Sequence, residues 1–379
     1  MAVRGNKAYK FRIYPTAEQR ELFAKTFGCV RFVYNRMLSD KNDHYHRTGK
    51  KLDITPARYK EEFPWLKEVD SLALANAQLN LQRAYKSYYE VPGTGLPGYK
   101  TKRAARQSYT TNCVNGNIRL TKGSLRLPKV GCVKIRQHRE IPEGYKLKSV
   151  TISRNASGTY YASILYEYEV PEHRIVPQTF LGLDYAMRGL YVDSSKAAAE
   201  YPGFYRKAEA RLKKEQRRLS LMKKGSKNRE KQRRKVAKLH EKTANQRKDF
   251  LHKQSRQITN AYDCICIEDL NMKGMSQSLH FGKSVLDNGW GMFTGFLEYK
   301  LTEEGKQLVK VDKHFASSQL CSCCGYQNPA TKDLSVRRWI CPSCGSEHDR
   351  DVNAAINIRN EGMRIVLHAL NIEPWGTRG

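Results

Sequence analysis

The 379-residue chain has no run of about eighteen apolar residues, so no segment reads as a membrane-spanning helix. Its basic start, MAVRGNKAYK, leads into no apolar core of the kind that a secretory signal carries, and the sequence therefore predicts an intracellular protein. Acids are scarce. There are 37 Asp and Glu against 68 Lys and Arg, a formal net charge of +31. Self-repulsion on that scale works against a compact state unless a polyanion neutralises it; nucleic acid is the expected partner and a membrane surface the alternative. Cysteines outside one stretch (Cys29, Cys113, Cys132, Cys264 and Cys266) are too thinly spread for a disulfide scaffold. The length exceeds what one ordinary core organises, so two or more domains are expected.

The exception to the cysteine scarcity is CSCCGYQNPATKDLSVRRWICPSCGSEHDRDVNAAINI, from Cys321 to Ile358. Two Cys-x-x-Cys pairs, Cys321 with Cys324 and Cys341 with Cys344, have the spacing of a four-thiolate zinc ribbon. Gly325 and Gly345 follow the pairs and let backbone amides turn toward the sulfurs. Cys323 is a spare thiol, and iron of rubredoxin type is the alternative metal. Four thiolates close a site, which makes this metal structural and places the chemistry beyond it, at His348-Asp349-Arg350-Asp351.

From the start of the chain, KAYKFRIY alternates and reads as a strand ending at Pro15. A helix follows, opened by a capping box of Thr16 with Gln19 and carrying Leu22, Phe23, Phe27, Val30 and Val33 at helical spacing. A second helix spans 71–89, with Leu74, Leu81, Tyr85 and Tyr88 in one stripe. Its amides, among them Asn76 and Gln78, are candidates for reading base edges, with a solvated polar face as the alternative. Gly93 to Gly98 breaks this helix, and short β-like runs fill 107–170, which predicts a small β-barrel whose first strand is separated from the rest by the helices. Tyr160, Tyr161, Tyr166 and Tyr168 are core aromatics or base-stacking platforms.

After a linker at 171–177, FLGLDYAMRGLYVDS reads as a two-strand hairpin with Asp184 in its buried first strand. Residues 205–256 form a one-sidedly basic helical hairpin turning near Lys224-Gly225-Ser226 and zipped by Leu212, Leu219, Val236, Leu239 and Ala244. Its Arg233, Arg234 and Lys235 are expected to hold phosphates. AYDCICIEDL is a buried strand ending in Glu268 and Asp269. A helix spans 287–305 around Trp290, Phe293, Phe296, Leu297 and Leu301, a strand spans 307–311, and a last helix spans 352–370. The acids Asp184, Glu268 and Asp351 thus converge on one sheet edge, as magnesium or manganese ligands for phosphodiester chemistry would. Asp349 is the alternative third ligand, and Asp269 reads as a cap or surface acid.

Several motifs, KAYKFRIYPTAEQ, GCVRFVYNRML, LGLDYAMRGL, the DFLHK stretch, IEDLNMKGM, WGMFTGFLEYK, SSQLCSCCG and HDRDVNAAINI, occur in one order over nearly the whole chain. Together they make the sequence resemble a TnpB (OrfB-type) protein, an insertion-sequence RNA-guided DNA endonuclease related to type V CRISPR effectors. The resemblance implies a multi-domain α+β and α/β fold. Its expected parts are a wedge β-barrel at 1–15 and 100–172 and a helical recognition lobe at 16–99, then an RNase H-like RuvC domain at 178–315 and 346–379 with a zinc ribbon inserted at 316–345. It implies catalytic Asp184, Glu268 and Asp351 holding Mg or Mn, structural Zn, a guide RNA, and double-stranded target DNA cut beside a short flanking motif. A monomer in the bacterial cytosol or nucleoid, without a membrane partner, goes with it. Two departures stand out: Ala186 replaces the usual glycine two residues after the first acid, and the hairpin lacks the usual glycine after Asp193-Ser194, so crowding near the metal is expected. The competing readings are a guided DNA-binding protein that no longer cuts and a DNA transposase.

Overall fold

Alternation along KAYKFRIY produces β1, Arg4–Tyr14, which buries Tyr9, Phe11 and Ile13 and exposes the residues between them. Pro15 ends it, and the Thr16–Gln19 capping box opens α1, Ala17–Thr48. Gln19 also donates to the Cys132 carbonyl at 2.8 Å, tying the start of the helix to the sheet. Helix α2, Ser71–Glu90, is capped by Asp70, whose other carboxylate oxygen accepts from Thr111 in β2, Gln107–Asn112. Leu74 and Leu81 of its expected stripe are fully buried, whereas Tyr88 is exposed.

The structure is a computed structural model that describes residues 4–103, 106–169, 175–187, 189–272, 274–275, 287–333 and 335–371; of the expected linker, 171–174 lie outside them. The chain divides into two units, Met1–Val170 and Pro171–Gly379. In the first, β3 (Arg119–Thr121), β4 (Ser124–Leu127), β5 (Gly131–Arg136), β6 (Lys146–Arg154) and β7 (Tyr160–Glu169) complete one antiparallel sheet. Its order is β2-β6-β7-β1-β5-β4-β3. The first strand therefore sits mid-sheet between β7 and β5, and the helices are an insertion behind it. Among the described residues no pairing joins β2 to β3, so the sheet is a half-barrel. Tyr160 and Tyr166 are core residues, while Tyr161 and Tyr168 are half-buried.

The second unit has the strand order β10-β9-β8-β11-β12. These strands are β8 (Phe180–Tyr185), β9 (Tyr191–Asp193), β10 (Ala198–Ala199), β11 (Cys264–Glu268) and β12 (Gln307–Val311). β11 lies parallel to both β8 and β12, and is buried on both faces as a central parallel strand must be. One face, carrying Leu181, Leu183, Ile265 and Ile267, packs on α4 (Lys227–Ala261) and α5 (Trp290–Glu303). The other, carrying Cys264 and Cys266, packs on α6 (Arg350–Ala369). Helix α6 crosses so closely that a Cβ at Gly182 would land on the Ala355 carbonyl oxygen, and one at Gly362 on the Cys266 sulfur.

The basic hairpin is α3, Phe204–Leu221, followed by α4. Leu212 and Val236 are buried between its arms, but Ala244 is exposed, correcting its place in the zipper. A polar lock replaces a fully apolar seam: buried Gln232 donates to Glu215 at 2.6 Å, and Lys235 pairs with the same carboxylate at 2.7 Å. Such a group disfavours slipped registers, which would leave it unpaired.

Candidate active site and thiol cluster

Side chains alternate along a strand, so Asp184 shares the face of Gly182, and Glu268 that of Cys264 and Cys266. Both therefore project toward α6. The strands run in parallel register, Leu183 beside Ile267, which puts the two acids next to each other at the carboxyl ends of β8 and β11. Asp351 arrives in the first turn of α6. Burial first, then Glu268, then Asp351 push the Asp184 carboxyl up to about 8. Burial also raises Glu268, opposed by a hydrogen bond from Ser317 at 3.2 Å. A buried carboxyl whose proton affinity is raised by burial and by two neighbouring acids is the kind of group that a cation would relieve.

The two candidates for the third position differ. The Asp349 carboxylate accepts from the amides of Asp351 and Val352 at 3.1 and 3.2 Å and is thus the N-cap of α6. Asp351 is the one whose charge reaches Asp184, and it holds the Arg337 guanidinium at 3.2 Å. Asp269, on the other strand parity, is exposed and pairs with Lys310 at 3.8 Å. Ala186 does not need a glycine's backbone freedom: its φ is not positive, and its amide donates to the Leu190 carbonyl at 3.3 Å. The turn after Asp193 needs no glycine because Lys196 takes the left-handed conformation (φ 71°). Asp193 supports it by accepting from the Ser195 and Ala197 amides, each at 2.9 Å.

The sulfurs of Cys321, Cys324, Cys341 and Cys344 lie within 4.8 Å of one another. Two pairs, Cys321–Cys344 and Cys324–Cys341, are at 3.6 Å. A tetrahedron with metal–sulfur bonds of about 2.3 Å has edges of about 3.8 Å, so the set fits zinc as it stands. The knuckle glycines Gly325 and Gly345 both have positive φ, 80° and 73°. The ribbon's sheet pairs β13, Arg338–Ile340, with β14, Glu347–Asp349, so β14 leads straight into α6.

Helix α6 in turn holds the ribbon. Asn353 accepts from the Ser322 amide at 3.0 Å and donates to the Leu320 carbonyl at 2.7 Å, and Asn357 donates to the Ser317 and Leu320 carbonyls at 2.8 and 2.7 Å. The NAAIN run thus has a division of labour: asparagines four apart clamp the first knuckle while Ala354 and Ala355 pack as buried small residues at the close crossing of β8. Buried His348 lies with its Nε2 3.0 Å from the Cys321 sulfur, and burial lowers its imidazole below its ordinary value. Sequence reasoning missed the contacts of Ser317, Asn353, Asn357 and Arg337. The first three lie inside the motifs SSQLCSCCG and HDRDVNAAINI, a signal that marks positions without revealing partners.

The expected nucleic-acid residues are placed as follows. Asn76 is buried and donates to the Leu72 carbonyl at 2.9 Å, and Gln78 is half-buried on another side of α2. Asn76, Asn80 and Arg83 line a polar groove of about 580 Å³ together with Thr110, Asn112 and Lys148. Arg233 and Arg234 pair with Glu230, at 2.8 and 3.3 Å, and Lys235 belongs to the Glu215 lock. Exposed Lys214, Arg217, Lys231 and Lys238 line the same two helices.

Comparison with known proteins accords with this architecture. Residues 163–279 match the OrfB_IS605 family, described as "Probable transposase", and residues 290–358 match the "Cas12f1-like, TNB domain". Residues 1–50 match a profile described as a helix-turn-helix domain, but the fold there is β1 followed by the single helix α1. The chain is 35% identical over 371 residues to "Putative RNA-guided DNA endonuclease" of Streptomyces pristinaespiralis, covering 94% of this chain and 89% of that one. It is 29% identical to "Putative RNA-guided DNA endonuclease InsQ" of Escherichia coli K12, covering 95% and 93%. Its fold resembles that of the protein in the "Cas12f1-sgRNA-target DNA complex", with a TM-score of 0.61, 14% identity and coverage of 94% and 99%. The class defined by these likenesses is that of the insertion-sequence proteins related to compact CRISPR effectors. Within it, the chain belongs to the TnpB (OrfB-type) family.

Proposed function

We propose that the protein is an RNA-guided DNA endonuclease whose second unit is an RNase H-like RuvC domain with Asp184, Glu268 and Asp351 as its metal-binding catalytic acids. The first unit is then a wedge half-barrel with an inserted helical recognition lobe, and the thiol cluster is a structural zinc ribbon. The observation that carries the reading is the convergence of two acids from adjacent parallel strands with a third from α6, where burial first and the two neighbouring carboxylates second raise the Asp184 carboxyl to about 8. Such a set binds divalent cations in place of protons, and carboxylate oxygens suit magnesium or manganese. Two ions bound there would activate water and neutralise the leaving oxygen of a phosphodiester. The chain's own work is orientation: β8 and β11 fix two carboxylates, Ser317 holds Glu268, and the Asp349 cap sets the helix start that carries Asp351.

A guide RNA is the partner this reading requires, since base pairing then supplies sequence recognition while the protein reads shape and a short flanking motif. The polar groove with Asn80 and Arg83 is the proposed face for that motif. The test is to sequence RNA that copurifies with the protein and assay cutting of a plasmid matched to it in Mg²⁺. Matched-only, RNase-sensitive cutting is expected; binding of transposon ends without RNA would make the protein a transposase.

The basic hairpin is proposed to hold phosphates of the guide or its heteroduplex. Binding should therefore weaken roughly a thousandfold or more between 50 and 200 mM salt if about six or more phosphates are engaged. Neutralising Lys214, Arg217, Lys231 and Lys238 together leaves the Glu215 lock intact and should flatten the log–log slope by roughly 0.7 to 0.9 for each phosphate that is no longer neutralised. A filter-binding series across salt checks it, and an unchanged slope would place the RNA elsewhere.

A further inference from the structure

His348 has no role in the proposed chemistry, yet it is buried beside the ribbon at 8% exposure and its ring packs on Trp339 with centroids 4.6 Å apart. We infer that His348 is a positioning residue: its imidazole N–H holds the Cys321 thiolate while its backbone leads into the cap that places Asp351, so the ribbon's metal and the third acid are set together. The inference rests on the reading of Asp351 as a catalytic acid.

The chemistry follows from the donor set. Four cysteines complete a tetrahedron, so the imidazole is left outside the metal shell. A metal-bound thiolate has no proton, so across the 3.0 Å contact the ring must donate and the sulfur accept. Four thiolates around a divalent ion carry a net charge of about −2, and an N–H bond to one sulfur offsets part of it. The geometry then transmits position. His348 stands opposite Trp339 in the β13–β14 pair, the Arg350 amide donates to the Arg337 carbonyl at 2.9 Å, and its guanidinium donates to the Asp333 carbonyl at 2.7 Å. The residue between, Asp349, caps the turn containing Asp351. On its other side the Cys321 knuckle is gripped by Asn353 through the Ser322 amide. A shift of Cys321 is therefore carried into the first turn of α6 from two directions.

Exposed Cys323 lies within 4.8 Å of both the Cys321 sulfur and His348. A second soft cation held by these three side chains is the competing account, and the experiment separates the two. Full-length protein with its copurified RNA would be made as wild type, His348→Ala, His348→Gln and Cys323→Ser. Each would be assayed for metal content, zinc release to a chromogenic chelator, the thiolate-to-metal absorption of cobalt-substituted protein, the Mg²⁺-dependent rise in Tm, and cleavage at saturating target. Loss of an outer-shell partner of a metal site costs about 10- to 100-fold. His348→Ala should keep one ribbon metal, release it faster by that factor, alter the cobalt band, and lower both the Mg²⁺ effect and the cleavage rate at unchanged target Kd. His348→Gln, which keeps an N–H donor, should recover most of this, and Cys323→Ser should match wild type.

Wild-type zinc release and cobalt absorption in His348→Ala would overturn the inference. So would a loosened metal with wild-type Mg²⁺ response and cleavage, or two metals in wild type with only one in both His348→Ala and Cys323→Ser. If wild type never cuts, the proposed activity fails, while the chelator, cobalt and Mg²⁺ readings still decide the role of His348.

Discussion

Glu268→Gln should bind guide and matched DNA like wild type and cut at least about a hundred- to a thousandfold more slowly, the scale for removing one charge-stabilising group from a preorganised site. The amide keeps the size of the side chain and its bond to Ser317, but loses the charge that a divalent ion needs. Asp269→Asn is the matched control. That side chain lies on the opposite strand parity, is exposed and pairs only weakly across solvent with Lys310 at 3.8 Å, so cleavage should persist. Asp184 adds a pH dependence. In metal-free protein its folded carboxyl titrates at about 8, far above its unfolded range, so the folded state holds an extra proton between the two values. Stability should therefore fall as pH rises through that window. Asp184→Asn should remove this slope, raise the Tm of metal-free protein at pH 8, and abolish stabilisation by Mg²⁺. Because the ion competes with that proton, wild-type cleavage at subsaturating Mg²⁺ should climb toward pH 8 and flatten at saturating Mg²⁺. Wild-type cutting by Glu268→Gln would remove these acids from the chemistry. A wild type that binds its matched target but never cuts would instead favour the guided, non-cutting reading.

What could be read from the sequence divides along the range of the interactions. The Thr16–Gln19 cap, the alternation of β1, the β11 run ending in Glu268 and the Cys-x-x-Cys pairs are local patterns, and each formed as its residues dictate. Strand parity alone separated Glu268 from Asp269. Interactions between distant segments were not legible. Nothing in CSCCG says that Asn353 and Asn357 of a later helix will seize its carbonyls, and nothing in LGLDY says that Gly182 exists to let α6 approach. The amides of α2 show the same limit. Helical spacing makes Asn76, Asn80 and Arg83 neighbours on one side, but only the β2–β6 surface determines which side becomes a groove. Charge counting likewise did not reveal that Arg233 and Arg234 pair with Glu230 and Lys235 with Glu215. The glycine missing after Asp193-Ser194 is dispensable because an aspartate-supported turn takes a left-handed lysine there, and Ala186 needs no glycine because its φ is not positive.

Cys341→Ser should release the ribbon's metal and, although it lies outside the acidic site, cost cleavage on the scale of Glu268→Gln. The ribbon's buried cluster consists of Cys321, Trp339 and Cys341 with Val336 packed against them, and its strands are three residues long. Two of the three buried members are thus thiols committed to the metal, and no independent apolar core remains once it leaves. Structural zinc contributes roughly 10 to 16 kcal/mol of apparent binding in small fingers, more than such a cluster can replace. A serine oxygen is a poor substitute for a thiolate, so the knuckle held by the Cys341 carbonyl and the Gly345 amide at 2.8 Å should open. Opening frees β13 and β14, and with them the Arg337 contact to Asp351 and the strand that precedes the Asp349 cap. Three measurements bear on this chain of effects: metal content, tryptophan emission, and protease sensitivity within 316–349. Trp339, one of four tryptophans and only 8% exposed, should shift its emission to the red. Guided DNA binding assayed beside cleavage distinguishes a displaced Asp351 from general unfolding, since only the latter removes both. Wild-type protein purified without chelator that contains neither zinc nor iron, or a variant that retains wild-type metal content, would remove the thiol cluster from the account of how Asp351 is held.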